Sequence, residues 1–183
     1  IFTDFEDSLS PRYAALAGLN SVIVVGSFSK TISAAIRCGY IAARADWIDL
    51  LINLKIATSF SGNDIHSRII YHVLSQGQYR KHVEMLKLKL AKARSNTIAR
   101  LNQLGISVPY SPKAGMFLWA KLADGQDSNL LAKACLKQGV ILAPGQAFSQ
   151  AESAKQYLRF NVAQCQELKV FTVLASALNE LSN

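Results

Sequence analysis

The chain is short of acidic residues, of cysteine and of long apolar runs, and each shortage removes a class of protein. Its 12 Asp and Glu face 20 Lys and Arg, a net charge of +8 over 183 residues. That excess raises the question of a nucleic-acid partner. The three cysteines, Cys38, Cys135 and Cys165, are odd in number, widely spaced and set in apolar stretches. They exclude a disulfide framework and show no metal-ligand spacing, and they read as reduced core thiols of a cytoplasmic protein. No apolar run approaches the length of a membrane span, and no charged-then-apolar leader opens the chain, so no membrane role is expected. Internal repeats and low-complexity tracts are also missing. What remains is half hydrophobic, enough for one sizeable core or two small ones.

The richest segment is residues 22–40. The β-branched run Val22-Ile-Val-Val25 leads into a small-residue turn that presents Ser27, Ser29 and Lys30, and Arg37, Gly39 and Tyr40 follow. A strand that delivers a lysine flanked by hydroxyls, with an arginine seven residues on, suits a ligand bearing both a phosphate and an electrophilic carbonyl. A lysine attacks a carbonyl only when unprotonated, which calls for a desolvated, cation-rich setting. A phosphate is met by hydroxyls, backbone N–H groups and the planar guanidinium fork. Gly39 lets backbone pass close by without a side chain.

Other readings of this segment fit less well. A P-loop needs Gly-x(4)-Gly-Lys-Ser/Thr, and here Val25 and Ser29 stand where its glycines belong. Ser27-x-x-Lys30 matches the serine–lysine element of penicillin-binding proteins, with Ser61-Gly-Asn63 and Lys113-Ala-Gly115 as loose mimics of its companion motifs. A serine–lysine acyl transferase would need a longer chain and has no use for Arg37-x-Gly39. A plain strand and helix with no ligand is the bland alternative.

The pattern Ser27-x-Ser29-Lys30-x(6)-Arg37-x-Gly39 resembles the cofactor-lysine segment of fold-type I pyridoxal-phosphate enzymes, the class I/II aminotransferase family. Two later stretches resemble the same family. Lys113-Ala-Gly-Met-Phe-Leu-Trp119 is similar to its Pro-x-Gly-Gly-hydrophobic-aromatic strand, with Ala114 in place of the first glycine. Pro144-Gly145-x-x-Phe148 and Tyr157-Leu-Arg-Phe-Asn161 are similar to its late turn and its Arg-hydrophobic-Asn/Ser element. The resemblance implies pyridoxal 5'-phosphate as cofactor, Lys30 as the catalytic lysine, Ser27, Ser29, Lys30 and Arg37 as cofactor-binding residues, and Arg159 as the anchor of the substrate α-carboxylate. It implies no metal. The freed Lys30 amine would serve as general base at the substrate Cα.

In this family the lysine lies well over halfway along the chain, and the pyridine-nitrogen aspartate, the ring stacker and the Gly-rich phosphate loop precede it. Asp4, Glu6 and Asp7 lie downstream of the position expected for that aspartate, and Ile1-Phe-Thr-Asp-Phe-Glu resembles the stretch that follows it. The expectation is therefore a C-terminal part of an α/β fold. Residues 1–80 would be the end of the large cofactor-binding domain. Residues 81–183 would be the α+β small domain with its bridging helix. Such a piece alone is expected to bind cofactor weakly or not at all and to lack transaminase activity.

Gly-Ser-Phe-Ser-Lys-Thr with Arg-x-Gly-Tyr-Ile most resembles the aminotransferase-like domains of GntR/MocR-type transcription regulators. There the domain senses an effector or dimerises, and DNA is bound by a separate N-terminal domain. Free-standing amino-acid aminotransferases are the alternative. Either way the implied partners are an amino acid or amino effector and a second copy of the chain, with DNA reached only through an N-terminal domain.

Periodicity supplies the rest. Strands are expected at 21–25, 39–43, 116–121, 140–143 and 158–162. Helices are expected at 46–55 with Asp46 as cap, at 64–75, from about 78 to 104, at 128–137 and at 167–181. In the long basic helix Val83, Leu86, Leu90, Ala93, Ile98 and Leu101 form one apolar stripe, and Arg80, Lys81, Lys87, Lys89, Lys92, Arg94 and Arg100 belong to a solvated basic face. Without interleaved aromatics that basic face reads as solvated surface before it reads as a DNA contact. In the last helix Leu168, Phe171, Leu174, Leu178 and Leu181 should share a face. His66, His72 and His82 fall in one helical region with no carboxylate or cysteine in register.

Overall fold

A computed structural model describes residues 3–6, 11–60 and 62–182. Ile1, Phe2, Asp7 and Ser61 lie outside them. The chain divides into two compact units, Ile1–Lys87 and Leu88–Asn183.

In the first unit a short helix, α1 (Tyr13–Ala17), precedes β1 (Val24–Ser27), which pairs antiparallel with β2 (Gly39–Ala42), the register running from Val24↔Ala42 to Ser27↔Gly39. The strand starts three residues later than the apolar run predicts, because its partner sets its length. Chain beyond Ala42 turns into α2 (Ala45–Ser59), leaving Val22 and Ile23 without a partner in β2. Close packing at the other end requires glycine. A Cβ at Gly39 would lie 2.6 Å from the Gly26 carbonyl oxygen, so only a bare Cα fits there.

Helix α2 is longer than expected, and Asp46 does not cap it. Arg44 holds the cap position with extended backbone, and Asp46 sits in the first turn, ion-paired to Arg44 at 2.8 Å. A carboxylate there still favours the helix dipole. At the far end Thr58 Oγ1 donates to Leu54 O (2.8 Å) and Ser59 Oγ to Lys55 O (3.2 Å). These hydroxyls bond back to the preceding turn, and α2 runs on to Ser59, past its expected end at 55. Helix α3 (Asp64–Ser75) follows, with Asn63 Oδ1 accepting from the His66 N–H at 3.4 Å. Gly77, at φ 70°, ends that run before α4 (Gln78–Gln103) begins. His66 and His72 therefore belong to α3 and His82 to α4, so the three histidines do not share one helix.

The core of the first unit is thin. Phe5, Ile70 and Val83 are its buried apolar side chains among the described residues. Val25 (61% exposed), Ile41, Leu50 and Leu54 stand open, so the apolar faces of this unit are largely uncovered within the chain.

The second unit is an α+β layer. β3 (Phe117–Lys121), β5 (Tyr157–Asn161) and β4 (Ala143–Pro144) form an antiparallel sheet in the order β3-β5-β4. Alternation decides its two faces. Leu118, Ala120, Leu158 and Phe160 are buried in the core, while Phe117, Trp119, Tyr157, Arg159 and Asn161 are half-buried on the opposite face. The core also takes Leu101 and Ala93 from α4, Leu131 and Cys135 from α5 (Ser128–Lys137), and Leu174 and Ala177 from α6 (Leu168–Ser182). Asp127 caps α5, its Oδ1 accepting from Asn129 N–H at 2.7 Å.

Two expectations here need correction. Strand β4 has two residues, because Pro144 brings no N–H and the chain turns at once through buried Gly145. On α6 the expected stripe loses both ends. Leu168 (69%) and Leu181 (46%) are exposed, and Val173 and Ala177 are buried beside Phe171, Leu174 and Leu178.

Candidate active site

The segment singled out by sequence forms one closed loop, residues 28–38, between paired strands. Phe28 N–H donates to Cys38 O at 3.1 Å, closing its mouth just beyond the Ser27↔Gly39 pair. Inside, Ile32 N–H donates to Phe28 O at 2.8 Å, making a tight turn whose tip carries Ser29 and Lys30. Ser27 Oγ accepts from Ser29 N–H at 3.2 Å, so one predicted hydroxyl is already used to shape the turn. Ser33 Oγ accepts from Ala35 N–H and starts a short 3₁₀ turn, Ala34–Ile36, that leads to Arg37.

Arg37 adopts a left-handed backbone, φ 44° and ψ 38°. A side chain there costs roughly 1–2 kcal/mol relative to the right-handed region, and such residues cluster at ligand sites. Both cations of the loop, Lys30 and Arg37, are exposed. Among the described residues neither has a hydrogen bond or an ion pair. Two unpartnered cations and two serine hydroxyls on one closed loop fit a ligand that is anionic and carries an electrophile.

The loop is anchored from behind by residues that sequence reasoning missed. Thr31, next to Lys30, is 1% exposed. Its hydroxyl lies 3.0 Å from the Tyr79 hydroxyl, and its carbonyl accepts from His82 Nε2 at 2.8 Å. Tyr79 donates to Asp4 Oδ2 at 2.5 Å, and burial together with that carboxylate pushes its hydroxyl pKa up to about 12. Phe28 packs edge-on against Tyr79, with ring centroids 5.8 Å apart. The available signal was Tyr79-x-x-His82, a spacing that puts two polar rings on one face of α4.

Arg159, in the second unit, lies on the open face of its sheet opposite Trp119. Its guanidinium carbon is 3.9 Å from the Phe148 ring centroid and 4.5 Å from that of Phe117. It also lines a cavity of about 500 Å³ with Val140, Ile141 and Asn161. Among the described residues no carboxylate pairs with it, so aromatic packing holds a guanidinium whose donors stay available. Lys113 and Gly115 are placed differently, since their carbonyls accept from Arg94 at 2.8 and 3.2 Å. Through these bonds they secure the approach to β3.

Cys135 and Cys165 are buried and Cys38 is half-buried, and all three are free. Burial raises the Cys135 thiol pKa and pushes that of Cys165 up to about 11. Among the described residues no helix is long and apolar enough to cross a membrane.

The family model of aminotransferase class I and II matches residues 2–176. The chain belongs to this family. A Bacillus subtilis relative, an uncharacterised HTH-type transcriptional regulator YdfD, is 26% identical over 144 residues, covering 78% of this chain and 30% of the relative. Aromatic-amino-acid aminotransferase 1 of Thermococcus litoralis is 30% identical over 154 residues, covering 81% of this chain and 36% of that enzyme. Among solved structures, the α-aminoadipate aminotransferase LysN of Thermus thermophilus, complexed with N-(5'-phosphopyridoxyl)-L-leucine, superimposes with a TM-score of 0.80 at 22% identity. That match covers 99% of this chain and 49% of LysN. The fold is thus that of the fold-type I aminotransferases, and the family supports pyridoxal phosphate as the cofactor. The chain spans about a third of the length of these curated relatives and about half that of the solved structure.

Proposed function

We propose that this chain supplies the lysine-bearing part of a pyridoxal-phosphate site in an aminotransferase-like domain of a GntR/MocR-type transcriptional regulator. There it would sense an amino effector or support dimerisation. The observation that carries the cofactor part is the loop 28–38, a closed frame that presents Lys30 and Arg37 with no hydrogen bond or ion pair among the described residues. Lys30 would hold the cofactor aldehyde. Arg37 and the serine hydroxyls would hold its phosphate, the guanidinium as a fork and the hydroxyls as donors. When bound, pyridoxal phosphate supplies an electron sink for bonds at an amino compound's Cα. Arg159 would receive the α-carboxylate through its in-plane N–H groups, with Phe148 and Phe117 limiting its swing. Freed from the cofactor, the Lys30 amine is the base that would take and return the Cα proton.

The regulator reading is supported by the HTH-type relative YdfD. A second reading, a free aminotransferase, is favoured by the 30% identity to an aromatic-amino-acid aminotransferase. One pair of assays on the intact protein separates them. A regulator gives DNA binding that changes with an added amino compound and no sustained keto-acid formation. Sustained turnover on the order of 1 per second or faster, ordinary for an enzyme, would replace the regulator reading with the enzyme one.

A further inference from the structure

Among the described residues Lys30 has no hydrogen bond or ion pair, yet the residue beside it is among the most firmly held in the first unit. Thr31 is buried, and its hydroxyl and carbonyl both end on the first turns of α4, one on Tyr79 and one on His82. A carbonyl only accepts, so His82 must carry its proton on Nε2 to make the 2.8 Å bond. Tyr79 and His82 are three residues apart and project from one side of α4. Tyr79 is held in turn by Asp4, and Phe28 packs against its ring. Two side chains of α4, with Tyr79 braced by Asp4 and Phe28, therefore hold Thr31 beside Lys30, whose own side chain has no hydrogen bond or ion pair among the described residues.

We infer that Tyr79 and His82 are positioning residues for Lys30, fixing through Thr31 where its amine stands for covalent capture of an aldehyde-bearing phosphate cofactor. The inference rests on the cofactor reading of Lys30 and adds to it a device on α4. Bond formation between amine and aldehyde is sensitive to approach, and a misplacement of about 1 Å can cost on the order of 100-fold in rate. Phosphate binding depends on the other loop groups, Arg37 and the serines, which make no bond to Tyr79 or His82 among the described residues. Capture and phosphate binding should therefore separate.

The test compares two ligands on the intact protein. Pyridoxal phosphate reports capture, read as the rate of Lys30 modification after borohydride quenching and peptide mass analysis. Pyridoxamine phosphate has the same ring and phosphate but no aldehyde, so its affinity reports non-covalent binding alone. His82→Leu and Tyr79→Phe should slow capture at Lys30 by about tenfold or more and leave pyridoxamine phosphate affinity within about twofold. His82→Gln, whose amide can still donate to the Thr31 carbonyl, should restore most of the capture rate. Should His82→Leu prove unstable, Tyr79→Phe, which removes one oxygen, decides the matter. Variants that capture at the wild-type rate would overturn the inference. So would variants that lose capture and pyridoxamine phosphate affinity together, since that marks a general structural role. A wild-type protein that binds pyridoxamine phosphate but is never modified at Lys30 would instead refute the cofactor reading, and with it the purpose assigned to the clamp.

Discussion

Replacing Arg37 by glycine should move stability and cofactor affinity in different directions. The residue sits at φ 44° and ψ 38°, where a side chain costs roughly 1 kcal/mol or more. Glycine removes that strain but adds about 0.5–1 kcal/mol of unfolded-state entropy. Among the described residues the side chain has no partner, so no bond is lost in the free protein. The net change in unfolding free energy should therefore lie between about 0 and +1.5 kcal/mol. Cofactor affinity should fall by the worth of a charge-assisted hydrogen bond, about 1.5–3 kcal/mol, or roughly 10- to 150-fold in Kd. Arg44 provides the contrasting case. It is ion-paired to Asp46 at 2.8 Å and stacked 4.3 Å over the Trp47 ring, so Arg44→Ala should cost about 0.5–1 kcal/mol of stability and leave Kd unchanged. Urea unfolding without cofactor and spectroscopic titration with it give the four numbers. Equal losses of affinity at the two arginines would refute the clamp and leave only general electrostatics. An Arg37→Gly protein destabilised by more than about 1 kcal/mol would show that the strain reasoning is wrong.

Arg159→Ala should raise the apparent Kd for an amino acid or amino effector by about tenfold or more while pyridoxal phosphate affinity stays put, as paired titrations would show. Gly145→Ala should destabilise the second unit by about 2–3 kcal/mol, because its Cβ would lie 2.9 Å from Tyr157 O and closer still to Ala154 O. Denaturant midpoints measure that loss. Stability should also fall as pH rises from about 9 to 12. The Cys165 thiol is held at about 11 and the Tyr79 hydroxyl at about 12, both above their ordinary values of 9.0 and 10.0, so the unfolded chain sheds these protons first. Melting temperatures across that range should drop, and Tyr79→Phe should flatten the upper part of the fall.

Local pattern was easier to read from this sequence than long-range support. Lys30, Arg37 and Gly39 stood out because a strand, a small-residue turn and a fixed spacing leave little else for them to do. Helices α3 and α5 were legible in their extent, and the structure adds the caps at Asn63 and Asp127 that start them. The late start of β1 was not legible, since a strand's length is set by its partner and not by its own β-branched run. Asp46 was misread as a cap because a carboxylate in the first turn and one at the cap give nearly the same local pattern. The Thr31 anchor was invisible for another reason. Tyr79 and His82 lie about fifty residues from Thr31 in sequence, and only the folded chain brings them to it. On α6, the expected face reached both helix ends, where Leu168 and Leu181 are exposed.

The central claim is that Lys30 carries the cofactor, and covalent trapping tests it most directly. The intact protein is mixed with pyridoxal phosphate, reduced with borohydride, digested and mapped by mass. The predicted result is one phosphopyridoxyl group on Lys30, abolished together with the visible absorption band by Lys30→Ala and unaffected by Lys113→Ala. A reducible lysine adduct that persists in the Lys30→Ala protein, or that maps to another lysine in the wild type, would contradict the account.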